Sequence, residues 1–236
     1  MRIGRLAAGF VLAIGAVAGG PRAAEAGPPC VCWPIDIGEA RSLPWGDGPM
    51  TTRQDYDLRH LVPDTLGILD ATSSPLVRME TCRRAALYLM RDEGRDSRRA
   101  WELYGRLAGR ALAEVARRRR DPLPWFDVTY LLAAFRQASV GGEWPDTAEF
   151  GNVYSSRTSG DPAWAAAAAE MAVGDALMRY MGEGDAWRPH VLFAVDHAAE
   201  GTLLAKNVLR LFGRDGYTLA SLRARVAAPA EGTPHR

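Results

Sequence analysis

Residues 121–139, DPLPWFDVTYLLAAFRQAS, limit what this chain can fold into more than any other stretch, because as a helix they are apolar on nearly every side. Asp121 is placed to cap the start, Pro122 suits a first helical position, where no amide donor is needed, and Gly141 and Gly142 stop it. At helical spacing Trp125, Val128, Leu132 and Phe135 form one stripe, and Phe126, Tyr130 and Ala133 lie on roughly the opposite side. A helix with two apolar faces needs neighbours on both. The segment therefore reads as the inner helix of an all-α domain.

The sequence around it supplies those neighbours. Ser74-Pro75 opens a long helix with Leu76, Met79, Cys82, Ala86 and Met90 on its apolar face, ended by Gly94. A second runs over residues 97–119, with Trp101, Tyr104, Ala108, Ala111 and Val115 at three-four spacing and Glu102, Arg106, Arg110, Glu114 and Arg118 stepping by four on the far side. These two are expected to pair as a hairpin. After the inner helix, a short helix near residues 146–154 is expected, then an alanine-rich helix from Asp161-Pro162 to Met181, a helix over 189–212 and a last short one over 218–227. Helix starts at Pro75, Pro122, Pro162 and Pro189 indicate stacked antiparallel helical hairpins, tetratricopeptide-like in architecture only. Their unequal spacing excludes a repeat of fixed period.

Residues 27–73 read differently. They form an irregular N-terminal arm with short helices broken at Pro63, in which Trp33 and Trp45 are too large to leave in water and are expected to clasp the helical domain of residues 74–228. The Pro/Gly tail, residues 229–236, reads as disordered. Residues 1–26 have the form of a secretory signal peptide: Arg2 and Arg5, an apolar run over 6–20, and Ala24-Glu25-Ala26 as the cleavage site. The run falls short of the about 20 apolar residues a bilayer span needs, so no transmembrane span is expected after cleavage, and the product is expected in the periplasm or outside the cell.

Charge is segregated rather than abundant. Residues 78–120 hold 13 arginines against 6 acidic residues, whereas the segments 27–77 and 121–236 each come to −4. Loss of residues 1–26 leaves a net charge of −1, which argues against nucleic acid as a partner. Arg117, Arg118, Arg119 and Arg120 form the densest run, a candidate anion-binding patch for a protein, an acidic envelope polymer or a lipid surface.

Chemistry-bearing residues are few. Glu170 shares a helix side with Ala166, Leu177 and Met181, so it must be paired or protonated, and with His197 it would make an acid–base pair if the last two long helices pack together. His190, His197 and Glu200 fall within about a quarter turn of one predicted helix, a candidate metal set, but their spacing matches no helical zinc or di-iron signature. Asp127, between Phe126 and Val128, reads as half of a buried ion pair. For the three cysteines, a bridge from Cys82 to Cys30 or Cys32 would staple the arm to the first long helix, since a bridge within Cys30-Val31-Cys32 is strained. No phosphate loop, dinucleotide fingerprint, nucleophile elbow or haem motif appears, and no cofactor is implied. The pattern describes an exported interaction or scaffold protein without catalysis, with a small secreted hydrolase built on Glu170 and His197 as its rival. Intact-mass analysis of the envelope fraction is expected to find a chain beginning at Gly27, and a product that retains residues 6–20 would refute cleavage.

Overall fold

The computed structural model describes residues 31–91, 97–118, 120–179 and 184–228. Residues 1–26, expected to be a signal peptide, Cys30, Arg119 and residues 229–236 lie outside them. Among the described residues the regular structure is entirely helical: α1 (Leu61–Ala71), α2 (Pro75–Arg91), α3 (Ser97–Ala116), α4 (Leu123–Gln137), α5 (Thr147–Thr158), α6 (Ala165–Arg179), α7 (Arg188–His197), α8 (Leu203–Phe212) and α9 (Leu219–Ala227). Single 3-10 turns precede α1 (Leu58–His60) and α6 (Pro162–Trp164).

Helix α4 is the centre. From Leu123 to Phe135 every residue but Pro124 is buried, and α4 packs on α2, α3 and α5, with α6 touching it as well. Asp121 caps it by accepting from the Leu123 amide at 2.9 Å. Chain order continues as hairpins, α3 with α4, α4 with α5 and α6 with α7, while α8 and α9 close over α7. The expected α2–α3 hairpin is replaced: α2 and α3 barely touch, because α4 lies between them and takes the apolar face of each. Small residues set the approach of α6, as its alanine content indicates. A Cβ on Gly174 would stand 2.9 Å from Met79 Sδ and from the Phe126 ring, so α6 sits as close to α2 and α4 as backbone allows.

Two helix boundaries differ from expectation for local reasons. Pro63 does not break a helix; it occupies the first turn of α1, where its missing N–H is no loss. The long helix over 189–212 is two helices, split at residues 198–202, where Gly201 takes φ +80° and the Thr202 hydroxyl caps α8 by accepting from the Ala205 amide at 3.2 Å.

The arm is held by charge as well as by oil. Val31, Ile35, Ile37 and Leu43 are buried, and Trp45 packs edge-on to Tyr88. Trp33, by contrast, stays 52% exposed and is no part of the clasp. Under the arm lie Glu80 and Arg83 of α2, whose side chains are wholly buried. The Arg83 guanidinium donates twice to Glu80, at 2.7 and 2.9 Å, and its third arm donates to the carbonyls of Val31 and Pro49. Glu80 also accepts from Arg84 and from the Ile35 amide, at 2.7 and 2.8 Å. At its other edge the arm reaches α8, where buried Asn207 exchanges hydrogen bonds of 2.7 Å with the Asp36 backbone amide and carbonyl. The expected disulfide staple is not made by Cys32, since Cys32 and Cys82 are free thiols, and its alternative partner Cys30 lies outside the described residues; Cys82 faces α4, with Sγ 3.9 Å from the Asp127 carbonyl. Burial raises the Cys82 thiol well above its ordinary pKa and leaves it unreactive.

Removing one member of a buried ion pair strands the other. Replacing Arg83 with Met is expected to cost about 3–5 kcal/mol in chemical denaturation, and replacing Glu80 with Gln in the same chain to restore part of that loss. A loss below about 1 kcal/mol for Arg83→Met would show that the arm is held by its apolar residues alone.

Candidate functional site

Two surfaces carry chemistry that the fold does not consume, and both are built on α3. The first is a polar cleft of about 740 Å³ between the end of α1, one side of α3 and the start of α4. Arg78 reaches it from α2, donating to the Asp127 carboxylate at 2.5 Å and to the carbonyls of Leu69 and Thr72 at the end of α1, at 2.6 and 2.7 Å. Arg110 pairs with Asp70 at the rim. The pairing expected for Asp127 is thus present, with Arg78 as its partner, but it is incomplete. Asp127 is 2% exposed and Glu114 6% exposed, yet among the described residues Asp127 Oδ1 and Glu114 Oε2 have no hydrogen-bond partner. Burial raises the Asp127 pKa to about 6 against the opposing pull of Arg78 and Arg110.

The sequence placed Glu114 on the solvent side of α3, and the helical pitch explains the error. A row stepping by four residues turns about 40° further at each step, so a line that leaves Glu102 in water has wound into the cleft by Glu114. The expected apolar stripe is displaced as well, but as a whole, since its three-four spacing drifts only about 20° per seven residues. The buried side of α3 is Ala100, Leu103, Leu107 and Ala111, while Trp101, Leu112 and Val115 stand 41%, 59% and 55% exposed.

That outward apolar row is the second surface. At one end Trp101 meets Trp144 with ring centroids 4.5 Å apart, and Tyr104 completes an aromatic cluster. At the other, Val115 opens onto a shallow groove shared with Arg118, Arg120, Val153 and Arg157. Helix α3 ends at Ala116, with Arg118 at φ 55°, so the arginine run projects from the connection to α4 rather than from a last helical turn. Arg117, Arg118 and Arg120 are all exposed.

The remaining sequence candidates do not assemble. Glu170 is turned toward α2, accepting from the Ser74 hydroxyl at 3.0 Å and the Leu76 amide at 3.4 Å; burial raises its pKa against these bonds. It caps the neighbouring helix, whose N-terminal dipole favours the charge. His197 is exposed, with Nδ1 2.8 Å from the Phe193 carbonyl, and no hydrogen bond or ion pair joins it to Glu170. His190 instead faces Asp175, with Nδ1 3.6 Å from Oδ2, and Glu200 falls in the turn beyond α7. Among the described residues no three His, Cys, Asp or Glu side chains converge as a metal set, and no helix is long and apolar enough to cross a membrane.

Asp175 was missed, although an aspartate inside the run MAVGDALM carries the same signal as Glu170. It accepts a hydrogen bond from the Tyr154 hydroxyl, and burial raises its pKa to about 7, with Arg179 acting in the other direction. Compared with known proteins, the chain matches no protein-family model, no curated protein and no solved structure.

A raised aspartate binds its proton more tightly in the folded state than in the unfolded chain. Its stabilising contribution is complete below the ordinary carboxylate pKa near 4 and is lost as pH rises through about 7, with Asp127 adding a similar loss through about 6. Asp175→Asn keeps an acceptor for Tyr154 and an uncharged group between His190 and Arg179. Urea denaturation is expected to find wild type weaker at pH 8 than at pH 5, and the variant to recover on the order of a few kcal/mol at pH 8. An unchanged pH dependence in the variant would refute the assignment.

Proposed function

We propose that this chain is an exported, non-enzymatic helical interaction protein that docks another envelope macromolecule along the outward face of α3. The observation that carries the reading is the row of Trp101, Leu112 and Val115, three large apolar side chains at 41%, 59% and 55% exposure on one side of one helix. Single exposed apolar residues are ordinary; a row spanning several helical turns is a docking surface. Its continuation into Arg118 and Arg120 sets the partner's character. An acidic amphipathic helix of a partner protein complements both features, its apolar side on Leu112 and Val115 and its carboxylates at the arginines. Stacked hairpins present surfaces of this kind, although the fold alone assigns none. Export rests on the charged start, apolar run and Ala-x-Ala site of residues 1–26. The rival hydrolase reading has no joined Glu170 and His197 to build on.

A photoreactive side chain in place of Leu112, in mature protein within its native envelope, is expected to capture one protein species. Val115→Asp should abolish capture, and the combined Arg118→Gln and Arg120→Gln change should weaken it roughly tenfold near 0.15 M salt, with melting unchanged in both. Capture of lipid or of an acidic polymer would transfer the patch to that partner. Equal capture by Val115→Asp would remove α3 from the interface.

A further inference from the structure

A cavity of about 550 Å³ opens where α1 faces the arm, and it shares no residue with either surface of α3. Its walls are fixed separately. The arm is pinned to α2: the Ser42 and Thr81 hydroxyls lie 3.0 Å apart, Arg84 donates to the Leu43 carbonyl at 2.5 Å, and Tyr88 donates to that of Pro44 at 2.7 Å. Helix α1 also packs on α2, with Leu61, Val62, Thr65 and Leu69 buried. Among the described residues no hydrogen bond or ion pair joins residues 40–44 to α1. The gap between them is left open, with Val77 of α2 at its floor.

Small side chains keep it open. Pro63, Gly67 and Ala71 stand four apart on α1 and all line the cavity, and a Cβ added to Gly67 would meet nothing within 4 Å. Packing does not require this glycine, and interior glycine weakens a helix relative to alanine. Replacing it with a larger residue would close the space from α1.

Charge is divided between the two ends. Thr81, which holds Ser42, is one turn beyond Val77, and Pro44 is held at Tyr88, so the arm descends α2 from the floor toward Tyr88 with Arg41 at the Val77 end. Asp64 belongs to the Tyr88 end. It accepts from the Tyr56 hydroxyl at 2.7 Å, and the Tyr56 and Tyr88 rings are 4.9 Å apart. Along α1 it lies about 10 Å from Ala71. Arg41 is exposed, and among the described residues no hydrogen bond or ion pair holds its side chain.

We infer that the cavity binds a small monocarboxylic acid with an apolar body, its carboxylate on Arg41 and its hydrocarbon along Ala71, Gly67 and Pro63. The planar guanidinium fork suits a carboxylate, through two parallel hydrogen bonds. A second negative charge at the far end of the ligand would meet Asp64, which restricts the site to one acid group. The volume lies within the range of ordinary ligand pockets.

The test uses the full mature chain and four probes of matched length, octanoate, octanol, octylamine and octanedioate, read by calorimetry and thermal shift. Octanoate is expected to bind best, with octanol about fivefold weaker and octylamine and octanedioate weaker still. Arg41→Gln should lower octanoate to the level of octanol and leave octanol unchanged. Gly67→Leu is expected to melt at the wild-type temperature or above and to bind none of the probes. Gly67→Ala is a second variant, expected to melt higher and to retain weakened binding. Equal binding of octanoate and octanol by wild type, undiminished binding by Gly67→Leu, or no binding of octanoate at about 10 mM would each overturn the proposal. The α3 crosslink at Leu112 should be unaffected by Gly67→Leu, so failure here is distinguishable from failure of the docking face.

Discussion

A carboxylate and a guanidinium buried without any exposure, Glu80 and Arg83, set the terms for the rest of the molecule. Taking both charges out of water costs several kcal/mol each, and their mutual attraction offsets this only if every remaining donor and acceptor is satisfied. Arg84, the Ile35 amide and the carbonyls of Val31 and Pro49 provide that satisfaction, and three of those four groups belong to the arm. The arm is thereby part of the core of α2 rather than a wrapping laid on it. Through Asp36 and Asn207 it also ties α2 to α8, elements more than 100 residues apart in sequence.

Satisfaction separates the two buried ionic clusters of α2. Around Glu80 and Arg83 the hydrogen bonds close, as in a structural network. Around Arg78 and Asp127 they do not close: among the described residues an oxygen of Asp127 and one of Glu114 remain without donors. The residue types are the same in both places. What differs is that the first cluster is roofed by the arm, which supplies the missing partners, and the second lies beside the cleft with no such roof, so the same chemistry closes at one end of the helix and stays incomplete at the other.

Helix α3 has a divided allegiance for a related reason. Being 20 residues long, it turns more than five times past α4, which is wide enough to cover only one of its sides. The covered side is Ala100, Leu103, Leu107 and Ala111; the polar side forms the cleft, and Trp101, Leu112 and Val115 are left outside. In sequence the apolar residues of both sides interleave at three-four spacing, so no periodicity argument could assign Trp101 and Val115 to water and Ala100 and Leu103 to the core.

By itself the sequence determined the helical class, the centrality of α4 and most helix starts. These are local matters: apolar residues on every side of one segment, prolines at first turns, and Asp121 as a cap are read from neighbours a few positions away. Only the tertiary structure decided which charges meet. Arg83, one of three arginines within seven residues of α2, is indistinguishable in sequence from a solvated helix charge, and its carbonyl partners lie 34 and 52 residues away. Glu170 found the start of α2 across 96 residues instead of His197, and Glu114 reached the cleft through the drift of a helical row. A long polar side chain takes whatever partner the packing of apolar faces brings within about 3 Å, and that proximity is a property of the assembled helices rather than of any one of them.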